Sequence, residues 1–265
     1  MNIIGRELRS NLKSLIIWCV SEFLLIYVGM MKYDGLSKTG ESVNELFQSL
    51  PEGMKAMFGV GELDLTTIGG FYSVFFLYFA LLGSIHAAML GATILSKEER
   101  DKTADFLLVK PICRSKVITS KIVAGMINLL AFNMTTLFTS ILFVNIFGNG
   151  ENIADIIVLM MAGLAILQVL FFSFGIGISA LVRSAKVATS IASAVILGTF
   201  MLSIAVDMVE KLESLKYFTP FKYFQGKAIV LDNTLDPFYI ILSCIMILFF
   251  TVITYFFYKK RDIHG

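Results

Sequence analysis

Residues 156–182 read IIVLMMAGLAILQVLFFSFGIGISALV, 27 residues without one Asp, Glu, Lys or Arg. An α-helix needs about 20 residues to cross a hydrocarbon layer about 30 Å thick, so this run is long enough to span a bilayer. A membrane β-strand would be about ten residues long and would alternate polar with apolar side chains, and this run does neither. Five further apolar stretches, at 15–31, 71–95, 122–147, 188–206 and 238–258, have the same character. The sequence predicts an all-α integral membrane protein with six transmembrane helices in a single domain, residues 1–265.

Composition agrees. Of the 265 residues 57% are hydrophobic and 16% charged, against about 45–50% and about 25% in a soluble domain. A net charge of +2 says little about nucleic acid, and no nucleic-acid partner is expected. Cys19, Cys113 and Cys244 are far apart and odd in number, so neither a disulfide framework nor a metal knuckle is indicated.

Orientation follows from the basic residues between the stretches. The segments holding the two termini, the linker 96–121 and the linker 183–187 carry fifteen Lys and Arg, whereas the segments on the other side carry seven. The positive-inside rule then puts both termini in the cytoplasm. The first stretch has Glu22 near its middle and no small-x-small cleavage site after it, as expected of a retained signal anchor.

The flanks carry weaker patterns. At 1–14, Ile4, Leu8 and Leu12 fall four apart while Arg6, Arg9 and Lys13 take another face. Such spacing predicts an elbow helix lying in the membrane surface; a plain charged flank is the alternative. In the linker 32–70, Val43, Leu46, Leu50, Met54 and Met57 suggest an amphipathic segment broken at Pro51. The linker 207–237 holds Tyr217, Phe218, Phe221, Tyr223 and Phe224 around Pro220. Aromatic rings favour the membrane interface, so a re-entrant or interfacial hairpin is expected before the last span, with an ordinary loop as the alternative. Small residues every four positions, Gly83, Ala87 and Gly91 in the second span and Ser184, Ala188 and Ala192 beside the fifth, predict close helix contacts.

Chemistry-bearing motifs are few. There is no G-x-x-x-x-G-K-[ST] phosphate loop, and His86 and His264 are the only histidines. The chain is expected to bind no cofactor or metal and to hydrolyse no nucleotide by itself. Within the spans only Glu22 and His86 are ionisable candidates, which argues against an ion-coupled antiporter. Glu22 costs roughly 2.5–3.5 kcal/mol at mid-span on insertion scales. It either lines a substrate path and meets a cationic group, or is protonated or hydrogen-bonded to a neighbouring helix. Asn128, Asn133 and Gln168 suit hydrogen bonds between helices.

The linker 96–121, SKEERDKTADFLLVKPICRSKVITSK, is more informative. Phe106, Leu107, Leu108 and Val109 stand together among charges, and Pro111 stops a helix entering from the N-terminal side. Four consecutive large apolar residues in a charged linker predict a docking surface; a frayed helix end lying on the membrane is the alternative.

These residues carry a family resemblance. Glu98-Glu99-Arg100, Thr103, Asp105-Phe106-Leu107-Leu108, Lys110-Pro111, Arg114 and Lys121 resemble the first cytoplasmic loop of type-two ABC exporter permeases, with Lys102 where the family usually has Gly. Thr219-Pro220-Phe221 with Tyr223-Phe224 resembles the family's S-P-F-x-Y-F hairpin motif, and Lys260-Arg261-Asp262-Ile263 its R-R-D-I ending. Leu50-Pro51-Glu52-Gly53 through Phe58-Gly59 resembles the branch with short external domains.

The resemblance implies that the loop carries a coupling helix seated on an ATPase subunit. Glu98, Glu99, Arg100, Thr103, Asp105, Phe106, Leu107, Leu108, Lys110, Pro111 and Arg114 would form that contact. It implies two copies of the ATPase, which hold the ATP and magnesium, and a second permease chain, identical or different, in a bacterial plasma membrane. ATP binding would draw the ATPase subunits together and move the permease halves as rigid bodies. The implied function is ATP-driven export, of an amphipathic or antimicrobial peptide in the first place, or of a peptide antibiotic, a lipid or sodium. An ATPase-independent carrier and a structural membrane subunit are the competing classes.

Overall fold

The computed structural model describes residues 3–38, 49, 55, 63–95, 114–148, 150–182 and 184–260. These are all helix, turn or connection, without a strand among them. Among the described residues six helices are long and apolar enough to cross a membrane: α1 (Ile3–Ser37), α2 (Ile68–Ile94), α3 (Arg114–Phe147), α4 (Ala154–Leu181), α5 (Ala185–Met208) and α7 (Pro237–Lys260). Between α5 and α7 lie two 3₁₀ segments, Glu210–Phe218 and Pro220–Lys222, and a short helix α6 (Gly226–Asp232).

Two helices extend beyond the sequence-based expectation, α1 at both ends and α3 at its start. α1 is one unbroken helix of 35 residues, about 52 Å long at 1.5 Å per residue, so residues 3–14, expected as a separate elbow helix, continue directly into the first span. α3 begins at Arg114, eight residues before the apolar stretch at 122. Nothing between Arg114 and Lys121 breaks a helix, and Lys121, counted from sequence as a linker residue, finds buried partners.

Local chemistry sets the helix ends. Before α2, the Asp64 carboxylate accepts from the Thr66 N–H and hydroxyl, and the Asp64 carbonyl accepts from the Thr67 hydroxyl. Thr67 is the N-cap, its Oγ1 accepting from Gly70 N–H at 3.2 Å. Tyr33 near the end of α1 donates to the Thr66 carbonyl and pins this turn. α6 ends at Asn233 in the left-handed conformation, φ 50°. α7 starts with Asp236 accepting from Phe238 N–H at 2.8 Å and with Pro237 at its first position.

α2 and α4 form the centre. They cross with backbone against backbone: a Cβ on Gly91 would stand 2.4 Å from the Phe172 carbonyl oxygen, and one on Gly175 would stand 2.4 Å from that of Ala88. The row read from sequence on α2 is therefore a real packing face, with Ala87 fully buried and Gly83 against Gln168 and Leu164. Its counterpart on α4 is Gly175. α1 packs on α3, α7 on α4, and α5 on α2, through Ala188 and Ala192 on α5, both fully buried. α7 is mostly uncovered, exposing Ile241, Ile245, Leu248, Phe249 and Val252.

Lipid tails are as apolar as leucine, so helix association in a bilayer rests on close packing more than on the hydrophobic effect. Gly175→Val should cost about 1–3 kcal/mol or more by overpacking and lower the thermal midpoint of the detergent-solubilised chain. At Gly198 a Cβ meets nothing within 4 Å, so Gly198→Ala should leave the midpoint unchanged or raise it, by up to about 1 kcal/mol in stability. Equal responses from the two variants would mean that the α2–α4 contact is not what holds the bundle.

Candidate functional site

Lys121 is fully buried, although a lysine ammonium is rarely taken from water without a partner. Its Nζ donates to Glu7 Oε1 at 3.2 Å and to the carbonyl of Ile94 at 2.5 Å. Ile94 is the last residue of α2, where the helix leaves carbonyls unsatisfied and carries partial negative charge. One ammonium therefore joins the first turns of α1, the last turn of α2 and the third turn of α3. Arg6 reaches Glu7 at 3.5 Å from the solvent side, and Ile3 packs on Val117 beside them.

Arg114, the first residue of α3, lies on the other flank. Its Nη1 donates to the Lys259 carbonyl at 3.1 Å, near the end of α7. One turn on, the hydroxyls of Thr119 and Tyr255 share a hydrogen bond of 2.7 Å. The ends of α1, α2, α3 and α7 are thus stapled around the two roots of the segment 96–113. Of the residues the sequence assigns to the coupling surface, Arg114 sits at this root. Glu98, Glu99, Arg100, Thr103, Asp105, Phe106, Leu107, Leu108, Lys110 and Pro111 lie outside the described residues.

Glu22 faces into the bundle, 1% exposed, while Ile16, Ile17, Val20, Phe23 and Leu24 on the same helix are exposed. Among the described residues neither carboxylate oxygen has a hydrogen-bond partner. One turn below it Trp18 contacts the buried His86 ring at 5.5 Å, and His86 contacts Phe132 at 4.8 Å. Asn133 donates to the Met161 carbonyl at 3.2 Å and to Gln168 Oε1 at 3.4 Å, which joins α3 to α4 as the sequence suggested. Tyr72 donates to Ser140 at 2.6 Å and joins α2 to α3. Asn128 is buried with its Oδ1 unpartnered among the described residues.

At the opposite end, the stretch Thr219–Phe224 is inserted between helices. The Thr219 hydroxyl donates to the Thr199 carbonyl at 2.8 Å. Phe221 packs its ring on Phe171 and Phe200, Lys222 pairs with Asp207, and Phe224 lies against Gly163. Tyr223 stacks on Tyr239 at 4.9 Å and donates to the Tyr217 carbonyl at 2.5 Å. Burial, with Tyr239 alongside, pushes the Tyr223 phenol up to about 12. Phe221, Tyr223 and Phe224 are thus buried, whereas Tyr217 and Phe218 keep the exposure expected of interfacial rings.

The Lys121–Glu7 pair is what sequence reasoning missed. The available signal was a charged residue, Glu7, one turn from Ile3 on the same face of α1, together with a lysine directly preceding the apolar run of α3. Nothing local joined two residues 114 positions apart.

A family model described as ABC-2 family transporter protein matches residues 1–263. In an alignment of 185 residues, the chain is 27% identical to YdbK, an uncharacterized membrane protein of Bacillus subtilis (strain 168), covering 66% of this chain and 75% of that protein.

Removing one member of a buried ion pair leaves the other charged and unpaired, at a cost of about 3–5 kcal/mol, whereas replacing both by apolar groups is often neutral. Lys121→Met should therefore lower the thermal midpoint sharply, and Lys121→Met with Glu7→Leu should recover most of the loss. The check is thermal unfolding of the three purified chains in one detergent. A double variant as unstable as the single one would assign the cost to the lost Ile94 carbonyl contact.

Proposed function

The chain belongs to the ABC-2 family of transporter membrane proteins as a permease subunit, and on that premise we propose that it exports an amphipathic or antimicrobial peptide across a bacterial plasma membrane. ATP, with magnesium, would be hydrolysed on two copies of a separate ATPase subunit, and a second permease chain would complete the path. Both termini and the segment 96–113 would face the cytoplasm, and the hairpin before α7 would face outward.

The observation that carries this proposal is the stapling of the roots of 96–113. A coupling segment transmits force only if its ends are fixed to the parts that must move. Here one end is held through Lys121 to α1 and α3, and the other through Arg114 to α7. The apolar stretch Phe106–Val109 between those roots would be the coupling helix that sits on the ATPase. Drawing two ATPase subunits together would then turn each permease as a rigid body. The first turns of α1, which leave Arg9 exposed while Ile3 and Glu7 pack inward, would serve as the elbow at the membrane surface.

The peptide class is supported by the uncovered apolar surface. Met126, Met134 and Phe138 of α3 and Met201 of α5 are exposed, and flexible Met side chains adapt to varied apolar partners. Glu22 would meet a cationic group of the substrate where the layer between α1 and α3 opens. The same residue, buried without a hydrogen bond among the described residues, also favours a second reading, an ATPase-independent carrier.

Phe106→Asp with Leu108→Asp should abolish co-purification of the ATPase subunit while leaving the solubilised chain monodisperse, and peptide-stimulated ATP hydrolysis by the reconstituted complex should fall to background. Retention of the ATPase would move the docking surface elsewhere. Transport that persists without any ATPase and is lost in Glu22→Leu would replace the proposal with the carrier. Stimulation by lipids or sodium alone, with every amphipathic peptide inactive, would overturn the peptide class.

A further inference from the structure

A cavity of about 560 Å³ opens at the hairpin end, between the end of α5, the hairpin, α6 and the start of α7. That volume lies within the usual range for a small-ligand pocket, about 300–1,000 Å³. Its floor is apolar and firm: Tyr223 is 4% and Ile229 2% exposed. Tyr239 continues the wall, its ring stacked on Tyr223 with 13° between planes, and Leu235 and Val206 add apolar surface.

Charge around the opening is unbalanced. Four carboxylates and two ammonium groups line it. Both lysines are already engaged, Lys222 with Asp207 and Lys216 with Glu213 at 2.8 Å. The Lys216 hydrogen bond holds the Glu213 carboxyl below the usual carboxylate range and raises the Lys216 ammonium in return. Asp236 and Asp232 remain. Asp236 uses one oxygen to cap α7 through the Phe238 N–H, and Asp232 has neither a hydrogen bond nor an ion pair among the described residues. The cavity therefore presents two carboxylates without a cation beside a stacked aromatic pair. An anionic ligand would meet these carboxylates while both lysines in the lining are already paired. Lys216 also lies over the Tyr217 ring at 5.6 Å, so the chain already seats an ammonium on an aromatic face beside the opening.

We propose that this cavity binds an ammonium group carried on an apolar chain, with Asp232 and Asp236 facing the charge and the Tyr223–Tyr239 wall receiving the adjoining methyl or methylene groups. An aminolipid headgroup and a free cationic amphiphile share this chemistry. The site requires no ATPase and stands apart from the export proposal.

The test is equilibrium binding of radiolabelled hexyltrimethylammonium to the purified full-length chain in maltoside micelles, with empty micelles as background. Saturable binding at one site per chain is expected, displaced by the unlabelled cation and not by hexanol or hexyl sulfate. Asp232→Asn and Tyr239→Leu should each weaken it about tenfold, while Tyr239→Phe keeps it. Displacement by phosphatidylethanolamine but not by phosphatidylglycerol would identify the headgroup as the source of the ammonium; displacement by neither would identify the free amphiphile. Binding no greater than that of empty micelles would overturn the proposal. So would an affinity unchanged in Asp232→Asn with Asp236→Asn, provided that the double variant elutes as the wild type does.

Discussion

The contact on which the bundle depends is the backbone crossing of α2 and α4 at Gly91 and Gly175. In water two helices would be driven together by burying apolar side chains, but in lipid that gain is nearly absent. What remains is dispersion between closely fitted surfaces, and it is largest where no side chain intervenes. A first side-chain carbon at either glycine would fall inside the van der Waals shell of the opposing carbonyl oxygen. The same device recurs where the hairpin joins the centre: Gly226 lies on the Ser73 backbone and Gly163 on the Phe224 ring. α2 and α4 thus act as one body, to which α3 is tied by Asn133–Gln168 and by Tyr72–Ser140.

Polar chemistry is divided by depth. At the end holding the start of α1 and the end of α7, a fully buried ammonium satisfies a carboxylate and a helix-terminal carbonyl together. A pair of this kind adds little net stability over an apolar replacement, because desolvation offsets most of the attraction. Its geometric demand is strict, however, since three helix ends must meet at one nitrogen. At the opposite end ion pairs are more exposed, and the aromatic side chains do the packing. Between them Glu22 lies buried with neither carboxylate oxygen bonded among the described residues, and His86 Nδ1 and Asn128 Oδ1 are likewise unpartnered there.

The six helices were legible because about 20 apolar residues without charge have few other uses. Four of the six predicted spans begin and end within three residues of a helix, because hydropathy reports the bilayer. The start of α3 was not legible for the same reason: the stretch Arg114–Lys121 is helical but not apolar, and hydropathy does not register helix outside lipid. The small-residue row on α2 was readable, yet its partner Gly175 was only one of the two glycines in F-G-I-G until the crossing was known. Phe221, Tyr223 and Phe224 looked interfacial by residue type, whereas their burial is decided by Gly163, Phe171 and Phe200 on helices far away in sequence. Lys121 and Glu7 were invisible as a pair because only tertiary packing brings them together.

These contacts also bear on where movement can occur. A displacement of the segment 96–113 would reach α2 directly, α1 and α3 through Lys121, and α7 through Arg114. α2 cannot shift along α4 without separating their backbones, so α4 would follow. Sliding within this group would break either a backbone crossing or a buried ion pair, and packed interfaces of that kind switch as units instead of deforming gradually. The surfaces freest of such constraints are the uncovered faces of α1, α3, α5 and α7, where Ile17, Phe138, Met201 and Leu248 are exposed among the described residues. Any opening large enough for a solute is therefore easiest along those faces, against a second chain or against lipid, and hardest through the middle of a single subunit.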